Sequence, residues 1–258
     1  MFTFFLDKDH NLIYNLNMND LKEVDLSEID LKNAFFHFTD TVNLDSIAER
    51  GLLPSIGENS KGVEKRSKSF FAMGNVGALE ICNVWIKWLI YMKQRITYLK
   101  KAQSPQETDE LKNQFDSDFL SGKIYTEESK IDAFNRFYKI MSTKSYLILE
   151  LEENVDYSLS DFDDVKKYCA KQEITHALYG QTENINNDKM ERWNMHTIEG
   201  VVIPPEKIKL LHDQNSYSAY DIIKSLYQRT KTDDVKLDFL VEFFKYAKEL
   251  DICATQEL

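Results

Sequence analysis

The sequence predicts an α+β fold, and three observations carry that prediction. Apolar or aromatic runs of strand length recur at Ala34 to Thr39, Ser69 to Ala72 and Tyr146 to Leu151. Long stretches of helical period lie between them, the clearest from Ala78 to Leu99, where Leu79, Cys82, Ile86, Leu89 and Ile90 repeat near one face. Two further amphipathic segments, Ala219 to Gln228 and Val235 to Leu250, come after the last strand-like run.

Composition bounds the function classes. The chain has 258 residues, 43% hydrophobic and 29% charged, which suits a globular chain of one large or two small domains with a full core. Forty-three acids against 32 bases give a net charge of −11, which disfavours a general phosphate-backbone binder but leaves a local basic loop open. Cys82, Cys169 and Cys253 lie far apart with no metal-ligand or disulfide spacing, so no metal is expected and a reducing compartment is the default. The apolar start, Met1 to Leu6, is cut off by Asp7, Lys8 and Asp9 before a signal-peptide core forms, and no later window is long enough to span a bilayer. A cytoplasmic location without a membrane partner is expected, and delivery as a leaderless effector stays open.

In chain order, Thr3 to Asn17 reads as a strand pair turning at Asp9-His10-Asn11. The polar segment from Asn19 to Leu31 is pinned to the core by Leu21, Val24, Leu26 and Ile29. Residues 1–33 form an annex of the same domain. Ala34 to Thr39 is an aromatic strand with one histidine, His37, and Asn43 to Arg50 is a short helix capped by Thr41 or Asn43 and stopped by Gly51. From Pro54 to Lys68 runs a polar loop with Asn59, Lys61, Lys65 and Arg66, the composition of a segment that wraps a polar ligand. The chain then re-enters a strand at Ser69-Phe70-Phe71-Ala72, after which Gly74 and Gly77 let a helix start close by.

Trp85 and Trp88 on that helix read as core or rim packing. A helical insertion is expected over 100–143, with helices from Leu111 to Leu120 and Ile131 to Met141. Past the Tyr146 to Leu151 strand come an acidic helix, Ser160 to Gln172, a short strand, Ala177 to Tyr179, and an Asn-rich loop, Gly180 to Asn194. A late β-rich apolar run is expected to open as a strand at Glu199, and a glutamate at the head of a strand, with Gly200 relieving crowding beside it, can point into a cleft. Residues 34–212 form the main domain and 213–258 a helical extension, whose stripe of Leu237, Leu240, Val241, Phe244 and Ala247 is expected to dock on the body.

The order strand-His-x-Thr, helix, Gly-Leu-x-Pro, polar loop, Ser-Phe-Phe-Ala, then Glu-Gly-Val-Val-Ile-Pro-Pro resembles the ADP-ribosyltransferase superfamily. The likeness is to its His, aromatic, Glu branch, which includes poly(ADP-ribose) polymerases and bacterial DNA-modifying toxins, and it spans Ala34 to Leu211. The resemblance implies split mixed or antiparallel sheets flanked by helices, and NAD as substrate. It implies that His37 and Thr39 hold ribose, with Phe38 between them counted in the cofactor site, and that Phe70 or Phe71 stacks on nicotinamide, phenylalanine replacing the family's usual tyrosine but keeping the π face. Asn59, Lys61 and Arg66 of the polar loop are candidates for cofactor contact, and Lys61, Lys65, Arg66 or Lys68, the dense basic cluster near the motifs, would neutralise the pyrophosphate. Glu199 and His37 would be the catalytic pair, the carboxylate opposing positive charge as nicotinamide leaves. Arg192, Trp193 and Asn194 would contact a macromolecular acceptor, protein or nucleic acid. Thr197 stands where arginine- and asparagine-directed relatives carry Glu or Gln, which makes an arginine acceptor less favoured.

Each of these residues has a plainer reading: His37 as a structural strand histidine, Phe70 and Phe71 as core, Glu199 as an exposed carboxylate. Their joint order and spacing favour the family reading. A non-catalytic NAD- or ADP-ribose-binding module, and an RNA 2'-phosphotransferase of the same fold, are the alternatives; a Glu at position 199 favours catalysis. The chain contains no GxxxxGK[ST], HExxH, GxSxG or GxGxxG motif.

Overall fold

The computed structural model describes residues 5–6, 12–13, 21–53, 71–157, 194–196, 200–232 and 236–254. The strands are β1 (Phe5–Leu6), β2 (Leu12–Ile13), β3 (Lys22–Asp25), β4 (Phe35–Asp40), β5 (Phe71–Met73), β6 (Lys144–Leu149), β7 (Asn194–His196) and β8 (Ile208–His212). The helices are α1 (Leu44–Arg50), α2 (Asn75–Leu99), α3 (Pro105–Leu120), α4 (Glu127–Met141), α5 (Ala219–Arg229) and α6 (Asp238–Ala254).

The fold is α+β, as the sequence predicts. β1 and β2 make a separate antiparallel pair, the expected N-terminal hairpin. The other described strands form one six-stranded sheet in the order β3-β8-β6-β4-β5-β7. It is mixed: β3 runs parallel to β8, and every other neighbouring pair is antiparallel. The sequence gives no strand signal for β3, because Lys22-Glu23-Val24-Asp25 has little apolar alternation and its partner lies far along the chain at Lys209 to His212. The acidic helix expected at Ser160 to Gln172 and the strand at Ala177 to Tyr179 lie outside the described residues.

Helix starts obey local capping chemistry. α3 opens at Pro105 because the Ser104 hydroxyl accepts from the Glu107 N–H (3.1 Å) and proline suits the first turn. α4 opens at Glu127 under Thr126, whose hydroxyl accepts from the Ser129 N–H (3.2 Å). Both helices therefore begin well before Leu111 and Ile131, where apolar periodicity first becomes visible.

The sheet separates two cores. On one face Phe36, Met73, Tyr146 and Ile148 pack beneath α2 to α6, with Leu79, Ile86 and Ile90 along the middle of α2. Here α6 docks on the body as expected. Phe243, rather than Phe244, is its fully buried aromatic, edge-on to Phe137 at 4.9 Å. Such a side chain contributes about 1.5–3 kcal/mol by leaving water. Leu240 and Ala247 are buried beside it, while Val241 and Phe244 are only partly covered. On the opposite face Phe35, Ala72, Leu147, Leu149, Ile208 and Leu210 pack against Leu44 and Ile47 of α1, together with Leu52, Tyr157 and Ile203.

Candidate functional site

Strand alternation on β4 decides which of the predicted residues can act together. His37 lies opposite Leu147 and Thr39 opposite Ser145 in the ladder with β6. Both fall in the same alternation as Phe35, on the α1 face, and His37 is half-buried while Thr39 is nearly covered. Phe38 belongs to the other alternation. Its ring meets Trp85 of α2 edge-on at 4.5 Å and Tyr146 at 5.8 Å, within the helical core. The structure thus brings His37 and Thr39 together and separates Phe38 from them. Trp85 is a packing residue, and Trp88 sits at the rim, stacked on Tyr91 at 5.4 Å.

A polar cluster fixes the end of β4. The Asn43 side-chain amide donates to Thr39 Oγ1 (3.3 Å), and Thr41 Oγ1 hydrogen-bonds Ser145 Oγ (2.9 Å) and donates to the Thr143 carbonyl (3.2 Å). Neither Thr41 nor Asn43 caps α1 through its side chain: Thr41 opens a 3-10 turn, Thr41–Asn43, and Asn43 turns back to β4. The cross-strand roles of Thr41 have no sequence signal, because its partners lie about a hundred residues away. On the helical side of the sheet, Tyr146 Oη and Cys82 Sγ face each other at 3.6 Å, both buried. Burial pushes the Cys82 thiol up to about 12, which rules it out as a nucleophile at neutral pH.

β5 lies between β4 and β7. Phe36 pairs with Met73, while Phe71, Ala72 and Met73 pair with His196, Met195 and Asn194. Ala72 is the β5 side chain in the α1-face core, opposite in facing to Met73. Asn194, expected at the end of a loop, instead opens β7.

From Gly200 onward the chain does not form the strand expected to open at Glu199. Gly200 adopts φ +83° in a turn, Val201 and Val202 are irregular, and Ile203 makes an isolated two-bond bridge to Leu52. Pro204 and Pro205 then lead through a 3-10 turn, Pro205–Lys207, into β8. A left-handed glycine at one end and two prolines without N–H groups at the other keep this apolar run from joining the sheet ladder. The bridge is close: Leu52 N–H donates to the Ile203 carbonyl (2.9 Å) and Ile203 N–H to the Leu52 carbonyl (3.1 Å).

Of the remaining predicted site residues, Glu199, Asn59, Lys61, Lys65, Arg66, Lys68, Phe70, Arg192 and Trp193 lie outside the described residues. Phe71 is described through its backbone, in the strand beside that of His37. Among the described residues no group of three His, Cys, Asp or Glu side chains is placed to hold a metal ion, and no helix is long and apolar enough to cross a membrane. No protein-family model, curated protein or solved structure matches the chain.

Proposed function

We propose that the protein is an NAD-dependent ADP-ribosyltransferase that transfers ADP-ribose to a macromolecular acceptor. The observation that carries this reading is the strand order β4-β5-β7. It sets the His37 strand beside the Phe71 strand and that beside a strand whose last residue, His196, precedes Glu199 by three. The two strands with the residue types that hold ribose and stack on nicotinamide are thus neighbours in one sheet, and the chain leads on from the third strand to Glu199, about 160 residues after His37.

His37 and Thr39, on one face of β4, hold ribose hydroxyls. Thr39 Oγ1 already accepts from Asn43, so its own proton remains to be donated. The Glu199 carboxylate engages the nicotinamide ribose and stabilises positive charge at its anomeric carbon as the bond to nicotinamide breaks. Nicotinamide leaves with the bonding electron pair, the acceptor oxygen or nitrogen forms the new bond to that carbon, and the acceptor releases its proton. Phe38 takes no part, because it serves the helical core. The loop cations from Lys61 to Lys68 are assigned to the pyrophosphate by charge alone.

Incubation with labelled NAD, with and without cell lysate, tests the proposal. It predicts nicotinamide release and label on a macromolecule, both lost in Glu199→Gln. NAD or ADP-ribose binding without release by the wild-type protein would instead identify a binding module.

A further inference from the structure

We propose that the outer half of α2 is a docking surface for an acidic amphipathic helix of a partner protein, seated on Trp88, Met92 and Ile96. The inference goes beyond the ADP-ribosyltransferase reading and does not rest on it.

α2 changes character along its length. From Asn75 to Val84 it is buried on nearly every side, whereas after Tyr91 none of its residues is buried. The outer half still packs on two neighbours. Tyr91 and Tyr98 meet Phe115 of α3 at 5.2 and 5.3 Å, and Lys93, on the other side of the helix, pairs with Asp132 of α4. Between these contacts Trp88, Met92 and Ile96 are spaced four residues apart, so they stand one above another on a single face over about 12 Å. They are 43%, 36% and 50% exposed. Trp85 and Leu89, both partly buried, flank the row. A lone exposed apolar side chain is ordinary, but three aligned on one helix face make a row that a second helix can cover.

Charge selects the occupant. From Ile81 to Gln106 the chain carries five Lys or Arg and no Asp or Glu, in a protein of net charge −11. Lys93 is taken by Asp132, but Lys100 and Lys101 are exposed past the end of α2 and make no ion pair among the described residues. Lys101 lies over the Tyr98 ring at 5.0 Å and Arg95 over the Tyr91 ring at 5.8 Å, so aromatic faces hold both cations on the outer half of the helix. An apolar row edged by cations complements a helix whose apolar stripe is edged by Asp and Glu. A second copy meeting this face would set cations against cations with no carboxylate between them. A bilayer or a nucleic acid would extend past the row onto α3, where Glu107, Asp109, Glu110, Asp116 and Asp118 outweigh Lys112. A single helix, about 10–12 Å across, can lie along the row alone.

The test is fluorescence anisotropy of a labelled acidic peptide, about 18 residues long with Leu along one helical face and Glu elsewhere, titrated with the full chain at low salt and without NAD. A peptide with Lys in place of every Glu controls for apolar contact. The acidic peptide is expected to bind about tenfold more tightly than the basic one, and less tightly as salt rises. The double variant Met92→Gln, Ile96→Gln is expected to weaken binding about tenfold, and Lys100→Glu with Lys101→Glu about fivefold. If the first variant does not fold by circular dichroism, the second, which lies past the end of α2, carries the test. Equal binding of the two peptides, wild-type affinity in either folded variant, or no binding up to about 1 mM overturns the inference. So does binding of phosphatidylserine–phosphatidylcholine vesicles in place of the peptide, which would identify a lipid surface. Dimerisation lost in Met92→Gln, Ile96→Gln also overturns it, by assigning the row to a second copy. Because NAD is absent, failure here leaves the transferase reading standing, and absence of nicotinamide release leaves this inference standing.

Discussion

Phe38→Ala separates the two faces of β4 by experiment. Phe38 is the central residue of the His-Phe-Thr motif, yet its ring packs between Trp85 and Tyr146 on the helical side. Truncating a fully buried phenylalanine costs about 3–5 kcal/mol, so partial burial brings the expectation to about 2. The two lost edge-to-face contacts add about 0.5 kcal/mol each, for a total of about 3. In a chain of this length that lowers Tm by about 6–12 °C. Thermal unfolding monitored by tryptophan fluorescence reads the loss directly, since Trp85 is the contacting ring. NAD affinity, measured by calorimetry well below the lowered Tm, is expected to stay within about twofold of wild type, because His37 and Thr39 keep their strand positions. A variant that keeps its Tm but loses NAD affinity tenfold or more would refute the assignment of Phe38 to the helical core.

The packing implies three further outcomes. Asn83→Ala removes the acceptor of the Leu240 N–H (3.0 Å) and the donor to the Lys236 carbonyl (3.3 Å), leaving the buried Leu240 N–H unpaired. A loss of about 1–3 kcal/mol is expected, with faster amide exchange at the start of α6 before the rest of the helical core. In a Cys169→Ser, Cys253→Ser background, Cys82 is expected to resist thiol reagents in the folded chain and to react at once in urea; rapid labelling without denaturant would contradict its burial. Because burial holds the Cys82 thiol and the Tyr125 phenol up to about 12, both stay neutral in the fold while the unfolded chain ionises them near their ordinary values. The unfolded state therefore sheds protons first. The contribution of these two groups to stability is constant below about pH 8 and is lost as pH rises toward about 12, a loss read in urea titrations at fixed temperature.

Much of the architecture is legible because it is written locally. The aromatic strand around His37, the long helix after Gly74, the strand at Tyr146 to Leu149 and the two C-terminal helices all announce themselves by period and punctuation. The helix starts at Pro105 and Glu127 are equally local but are carried by the Ser104 and Thr126 caps, not by apolar spacing. Other features depend on partners that sequence pattern does not reveal. β3 exists because β8 lies alongside it, and Thr39 is held by an asparagine that the sequence reads as a helix cap. The apolar run after Glu199 looks like a strand by composition. Its extended hydrogen bonding is reduced to one bridge by a left-handed Gly200 before it and Pro204-Pro205 after it. Within the candidate site, the pairing of His37 with Thr39 comes from strand alternation alone. The same rule takes Phe38 out of the site.

The central claim is that Glu199 and the His37 strand serve one NAD-cleaving site, and the most direct measurement is nicotinamide release from labelled NAD by wild type, Glu199→Gln and His37→Ala in parallel. The account predicts release by wild type, loss on the order of 10²-fold or more in kcat for Glu199→Gln, and a rise in KM for His37→Ala with the fold intact by circular dichroism. Equal release by wild type and Glu199→Gln, or no release and no NAD binding by any of the three, would contradict it.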